Sequence, residues 1–281
     1  MLLINNRKDL IMHLSSLDKK QSLGLVPTMG ALHIGHASLV KRAIEENNVV
    51  VVSIFVNPTQ FNNSIDLEKY PQTLSDDLKI LKNISKEIIV FTPTVEEMYD
   101  KNVTSKKYNF GGLEHVMEGA FRDGHFDGVG TIVEALLRLV DSDRAYFGEK
   151  DFQQLQIIKK LVEIQKINVE VIGCQIVREP HGLAYSSRNE RLSKNTRKEA
   201  AIIYETLMTA KKIFGTKSAI YVKDWVVNQF ESQPGFELEY IEISQAKTLK
   251  PIIRKQKNKN YRAFIAVYTE NVRLIDNIAL N

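Results

Sequence analysis

The chain has a single cysteine, Cys174, among 281 residues, so no disulfide can form within it, which fits a reducing compartment. No apolar run approaches the roughly 20 residues that a membrane-spanning helix needs. Residues 1–10 include Arg7, Lys8 and Asp9 and lack the apolar centre of a signal peptide. The expectation is therefore a cytoplasmic protein that makes no use of a membrane. Charge of one sign is also scarce. A formal net charge of +4 suits an anionic small-molecule substrate and is too weak to demand nucleic acid. Internal repeats and low-complexity segments are missing. What is there is ordinary for a globular protein: 43% apolar and 26% charged residues, in a chain long enough for one large or two modest domains.

One stretch organises the rest: Val26-Pro27-Thr28-Met29-Gly30-Ala31-Leu32-His33-Ile34-Gly35-His36. The apolar run Leu23 to Val26 leads into it, and the helical spacing of Leu39, Val40, Ala43 and Ile44 follows it. It reads as strand, turn and helix start. A helix N-terminus offers unpaired N–H groups and about half a positive charge, a seat for phosphate. Two readings of His33 and His36 stand side by side, a phosphate site and a plain surface or capping pair. A zinc site has little support, because a third histidine is not nearby.

Strands and helices alternate from there. Val49–Val56, Ile88–Phe91, Arg144–Phe147 and Val169–Val177 read as strands. Arg7–Leu17, Leu39–Asn47, Ser75–Lys82, Val129–Val140 and Phe152–Gln165 read as helices. Such alternation gives an α/β fold with a doubly wound, mostly parallel sheet. Ligands sit at the carboxyl ends of its strands. The polar clusters Thr28–His36, Asn57–Gln60, Gly148–Gln154 and the residues after Val177 lie at those ends. Beyond Val177 the texture changes to two helices (Asn195–Phe214, Lys223–Phe230), an alternating run (Phe236–Ser244) and a hairpin around Glu270-Asn271. The reading is two domains, residues 1–176 and a smaller α+β domain at 177–281. The basic stretch Lys250–Arg262 reads as a solvated loop joining strands, with RNA binding as the rival.

Several residues have chemistry worth naming. Lys150, in Gly148-Glu149-Lys150-Asp151, is placed to meet a phosphate or is a surface lysine beside an N-cap Asp151. Gln154 lies one turn further on. Arg188, in Tyr185-Ser186-Ser187-Arg188-Asn189, suits charge developing on phosphorus, or it follows a capping serine pair. Asn57 and Gln60 offer amides that orient substrates. Asp76 and Asp77 either hold Mg²⁺ or complement a helix dipole. His125 sits in a glycine-bearing loop, as a cover for a site or as a surface residue.

Taken in order, Pro27–His36, Phe55-Val-Asn-Pro-Thr-Gln-Phe61, Tyr70-Pro71, Phe147-Gly-Glu-Lys-Asp-Phe-Gln-Gln154, Ser186-Ser-Arg-Asn189 and Arg273-Leu-Ile-Asp-Asn277 resemble the pantoate–β-alanine ligase (pantothenate synthetase) family over nearly the whole chain. The resemblance implies a Rossmann-like domain of the nucleotidyltransferase superfamily marked by His-Ile-Gly-His, with a C-terminal domain closing over it. It implies ATP-dependent joining of pantoate and β-alanine through a pantoyl adenylate, with Mg²⁺, in a homodimer, with no nucleic acid or membrane partner. Carried over residue by residue, Met29, Gly30, Ala31, Leu32, His33, Ile34, Gly35 and His36 would line the ATP site. So would Gly148, Glu149, Lys150, Asp151, Val177, Tyr185, Ser186, Ser187 and Arg188. His36, His33, Lys150 and Arg188 would be catalytic, with His36 as the family's proton donor. Gln60 would contact pantoate and β-alanine, Gln154 would contact pantoate, and Asp76 and Asp77 would lie near the metal. The chain departs from the family pattern at Tyr185 (usually Met), Gln72 (usually Arg) and Ala135 (usually Lys).

Two other functions stand against this one. A class I aminoacyl-tRNA synthetase-like enzyme or nucleotidylyltransferase shares His-Ile-Gly-His, but the chain has no recognisable anticodon-binding domain. A non-catalytic RNA-binding module would use Lys250–Arg262, where Tyr261 is the only aromatic interleaved.

Overall fold

The computed structural model describes residues 1–62, 64–99 and 102–281. The chain divides into two compact units, residues 1–149 with 154–175 and residues 150–153 with 176–281.

The first unit is built on a six-stranded parallel sheet. Its strands are β1 (Leu2–Ile4), β2 (Leu23–Thr28), β3 (Val49–Ile54), β4 (Ile89–Phe91), β5 (Arg144–Gly148) and β6 (Glu170–Cys174), in the order β1-β4-β3-β2-β5-β6. Leu25 pairs with Val51 on one side and Ala145 on the other. Central strands of such a sheet are covered on both faces, which explains the unbroken valine run of β3. From β2 the chain winds outward to β3 and β4, then resumes at β5 on the other side of β2. The switch point is thus the β2–β5 gap, where the loops after β2 and β5 leave the sheet. Leu39, Val40 and Ala43 of the helix Ile34–Glu46 pack with Val26, Val50, Val52 and Leu81 and so fix where that helix begins. Strand β1 carries no readable pattern, since three residues are too few for alternation to show.

On the helix His125–Val140, the Glu134 carboxylate is buried and accepts from Tyr108 Oη, Lys106 Nζ and Arg138 Nε at 2.6, 3.0 and 2.8 Å. Burial pushes this carboxyl up, but the bonds from Tyr108, Arg138 and Lys106 outweigh it and hold it below the ordinary range. A depressed carboxyl favours the folded state above its unfolded pKa, and that contribution is lost as pH falls through the folded value. The free energy of unfolding is therefore expected to drop as pH falls below about 4.5. Denaturant titrations of wild type and Glu134→Gln across acid pH check this; equal slopes in the two proteins would remove Glu134 from the acid response.

The second unit carries an antiparallel sheet of β7 (Glu237–Gln245), β8 (Tyr261–Thr269) and β9 (Val272–Ala279), in that order. Ile203, Leu207, Val222 and Val226, from the helices Ala201–Phe214 and Ala219–Glu231, form one core with Ile241, Ile265, Val267 and Leu274. The β8–β9 turn is Glu270-Asn271, both at positive φ, the two-residue geometry that matches strand twist. The expected single helix Asn195–Phe214 is two, Lys194–Glu199 and Ala201–Phe214, joined at Ala200. Residues 253–260 are an exposed loop joining β7 to β8, and Arg262 turns inward at 9% exposure. Among the described residues no helix is long and apolar enough to cross a membrane.

Candidate functional site

The loop after β2 is shaped by a carboxylate. Gly30 lies at φ +81° and Ala31 at +47°, a left-handed pair in which Ala31 is strained. A Cβ on Gly30 would meet Asp77 Oδ2 at 3.1 Å, so the close approach also requires glycine. Asp77 itself is buried at 1% exposure. Its Oδ2 accepts the Ala31 N–H at 3.1 Å, its Oδ1 the Leu32 N–H at 2.7 Å and the Thr73 hydroxyl at 3.2 Å. The strained turn is held open by this clamp from the helix Leu74–Ile84.

The helix Ile34–Glu46 then starts on the two histidines. His33 is its N-cap: its Nδ1 accepts the Gly35 N–H at 3.1 Å, and His36 Nδ1 reaches back to accept the His33 N–H at 3.4 Å. The rings stand 4.0 Å apart. The capping reading and the phosphate reading are therefore compatible. With Nδ1 accepting, each neutral ring carries its proton on Nε2, so both present a donor at the edge away from the cap. Those two donors sit at a helix N-terminus, at the carboxyl end of β2 beside the switch point.

At the end of β3, Gln60 is fixed by a chain of amide contacts. Asn57 Nδ2 donates to the Gly128 carbonyl at 3.1 Å and to Gln60 Oε1 at 3.2 Å. The Gly128 carbonyl can only accept, so the direction of the Asn57 amide is set, and with it that of Gln60. Gln60 turns its Nε2 away from Asn57 and toward Met29 Sδ, in the loop after β2. Tyr99 Oη, which the sequence reading missed, donates to Asn57 Oδ1 from behind. His125 is buried at 5% exposure and is the first residue of a helix, not part of a loop. Its Nδ1 donates to the Gln60 carbonyl at 2.8 Å, and Arg122 donates to the same oxygen at 3.3 Å. Gly128 is needed here: a Cβ on it would lie 2.4 Å from the Thr59 carbonyl oxygen.

The remaining site candidates fall in two groups. Gly148, Glu149 and Gln154 belong to the first unit, with Gly148 ending β5 and Gln154 in the helix Phe152–Gln165. Lys150 and Asp151 belong to the second, their side chains 3.5 Å apart. Lys150 lies in a one-turn 3₁₀ segment, not in the helix, so the helical spacing expected between it and Gln154 does not apply. Within the second unit, the Tyr185 N–H donates to the Val177 carbonyl at 3.0 Å, which brings two expected nucleotide residues together. Ser186 caps the 3₁₀ turn Ser187–Arg191 by accepting the Arg188 N–H at 3.3 Å. Asn189 anchors the turn by donating to Glu179 Oε1 and the Ala184 carbonyl.

The two residues of the acidic pair point different ways. Neighbours on a helix point about 100° apart, and Asp76 faces solvent in an ion pair with Lys79 at 2.7 Å while Asp77 faces the loop. Both Asp77 oxygens already hold backbone N–H groups. The two do not fit a shared Mg²⁺, and among the described residues no group of three or more His, Cys, Asp or Glu is placed to hold a metal ion.

The family profile described as Pantoate-beta-alanine ligase matches residues 3–279. Pantothenate synthetase of Christiangramia forsetii is 56% identical over 261 residues, which covers 93% of this chain and 92% of that one. Pantothenate synthetase of Bacteroides thetaiotaomicron is 47% identical over 279 residues, 99% and 98% of the two chains. The crystal structure of pantothenate synthetase from Thermus thermophilus matches with a TM-score of 0.91 at 38% identity, over 100% of this chain and 99% of that one. A pantoate-beta-alanine ligase from Francisella tularensis, solved with beta-gamma ATP and beta-alanine, matches with a TM-score of 0.81 at 37% identity, over 100% and 98%.

Proposed function

The chain belongs to the pantoate–β-alanine ligase family, and we propose from that premise that it works through a pantoyl adenylate, with His33 and His36 as donors to the nucleotide phosphates. The overall reaction is the ATP-dependent condensation of pantoate with β-alanine. The observation that carries the residue roles is the shared tautomer: two Nε2–H donors, set by the cap, at the helix start after β2.

A carboxylate is a poor acyl donor. In this reading a pantoate carboxylate oxygen attacks the α-phosphorus and pyrophosphate leaves. The amine of β-alanine then attacks the acyl carbonyl, AMP leaves and the amine gives up a proton. The first step brings an anion to an anion, so donors and cations aimed at the phosphates lower its barrier. His33 and His36 supply donors; Lys150 and Arg188 enter as charges on the family's pattern. The second step is chiefly one of holding a neutral amine near a carbonyl. Gln60, with its amide oxygen held by Asn57 and its N–H groups on the side of Met29, suits the oxygens of pantoate and of the β-alanine carboxylate, and Gln154 is assigned to pantoate. Met29–His36, Gly148–Asp151, Val177 and Tyr185–Arg188 are proposed to line the ATP site. Magnesium enters as the counter-ion of the nucleotide's own phosphates, because Asp76 and Asp77 do not converge on one ion. A homodimer in the cytoplasm completes the proposal.

AMP release measured with Mg·ATP and pantoate, with and without β-alanine, tests this. Sustained turnover is expected only with both substrates, and an acyl adenylate should be trapped when β-alanine is withheld. AMP release driven by an amino acid and tRNA would place the chain with the synthetases instead.

A further inference from the structure

The motif Arg273-Leu274-Ile275-Asp276-Asn277 helped to carry the resemblance, yet it has no part in the chemistry above. Its last two residues are buried on β9, at 4% and 2% exposure. Asp276 takes both arms of the Arg178 guanidinium at 2.5 and 3.0 Å. Arg178 lies over the Tyr204 ring at 3.6 Å and donates to the Gly182 carbonyl at 3.1 Å. It thus secures the turn between Arg178 and Ala184, which pair antiparallel, and that turn leads to Ser186 and Arg188.

Asn277 does the same for Lys150. Its Nδ2 donates to the Lys150 carbonyl at 2.8 Å, and its Oδ1 accepts from the Arg262 guanidinium. A carbonyl can only accept and a guanidinium can only donate, so this amide has one possible orientation. Arg262 in turn lies over the Phe152 ring at 3.9 Å, and Phe152 packs against Phe264 at 6.0 Å. These contacts are why residues 150–153 group with β8 and β9 and not with the strand they follow.

We propose that Asn277 is a positioning residue for Lys150. It fixes the backbone from which the Lys150 side chain projects and does not itself touch substrate. The inference rests on the reading that Lys150 serves adenylation. An aspartate at 277 would still accept from Arg262 but would have no hydrogen for the Lys150 carbonyl.

Steady-state AMP release from wild type, Asn277→Asp, Lys150→Ala and the double variant tests it. Asn277→Asp is expected to lower kcat about tenfold to a hundredfold, the effect of an ångström-scale misplacement. The KM for β-alanine should stay within about twofold, and the substitution should cost nothing further once the Lys150 side chain is gone. A kcat within about twofold of wild type, or the same fold loss with and without that side chain, would overturn the inference. Asn277→Ala, smaller and uncharged, supplies the same comparison where the aspartate variant does not fold. Wild-type turnover by Lys150→Ala would instead sink the reading of Lys150. A slow Lys150→Ala beside a fast Asn277→Asp sinks only the positioning role.

Discussion

Replacing His36 by asparagine is expected to slow AMP formation about a hundredfold to a thousandfold while leaving the chain folded. The two ring nitrogens have separate tasks. Nδ1 accepts the His33 N–H and completes the reciprocal cap, and Nε2 presents the donor. An asparagine oxygen reaches about as far as Nδ1 and keeps the cap; nothing in it reaches as far as Nε2. His36→Ala loses both functions, with about 1 kcal/mol of cap stability added to the rate loss. Melting temperature and AMP release, measured on both variants, separate the two roles. A wild-type rate in His36→Asn would take the histidine out of the chemistry and leave it as a cap.

The second large effect is expected at Asp77. Its carboxylate satisfies two backbone N–H groups in a turn that includes a strained alanine. Asp77→Ala strands the Ala31 and Leu32 donors, and bonds to a charged acceptor contribute about 1.5–3 kcal/mol each. A loss of roughly 3 kcal/mol or more is therefore expected by urea unfolding, together with loss of AMP formation, because the turn feeds directly into the His33 cap. Asp76→Ala, at an exposed ion pair, should change stability by no more than about 0.5 kcal/mol and leave the rate alone. A metal-binding pair would behave differently: both variants would fold normally, both would need more Mg²⁺, and excess Mg²⁺ would restore both. That pattern would reinstate the pair as ligands.

Asp77 also marks how far the chain can be read without coordinates. Two acidic residues at the start of a helix are visible in sequence, but which way each points depends on how the helix Leu74–Ile84 lies against the β2 loop. His33 and His36 were legible as a helix start, since the capping pattern is local. Their common tautomer was not, because it depends on which backbone N–H each Nδ1 meets. Gln60 was legible as an amide at a strand end. Its direction comes from Gly128, far along the chain, through Asn57 and Tyr99. Tyr99 and Asn277 carry no local signal of a role near the site. Only the Arg273–Asn277 motif pointed to the second of them.

The sequence by itself determined the alternation of buried strands and amphipathic helices, the polar clusters at strand ends and the family to which they belong. Those properties are written in side-chain periodicity, turn residues and short motifs, all local in the chain. The tertiary structure alone decided that Asp77 clamps a loop, that Gln60 turns its N–H groups toward Met29 and that Lys150 is held by β9. Each of these rests on a hydrogen bond between residues 45 or more positions apart, or on a relay through one. The partner in such a bond is chosen by how the elements pack, and no nearby pattern of residues specifies it.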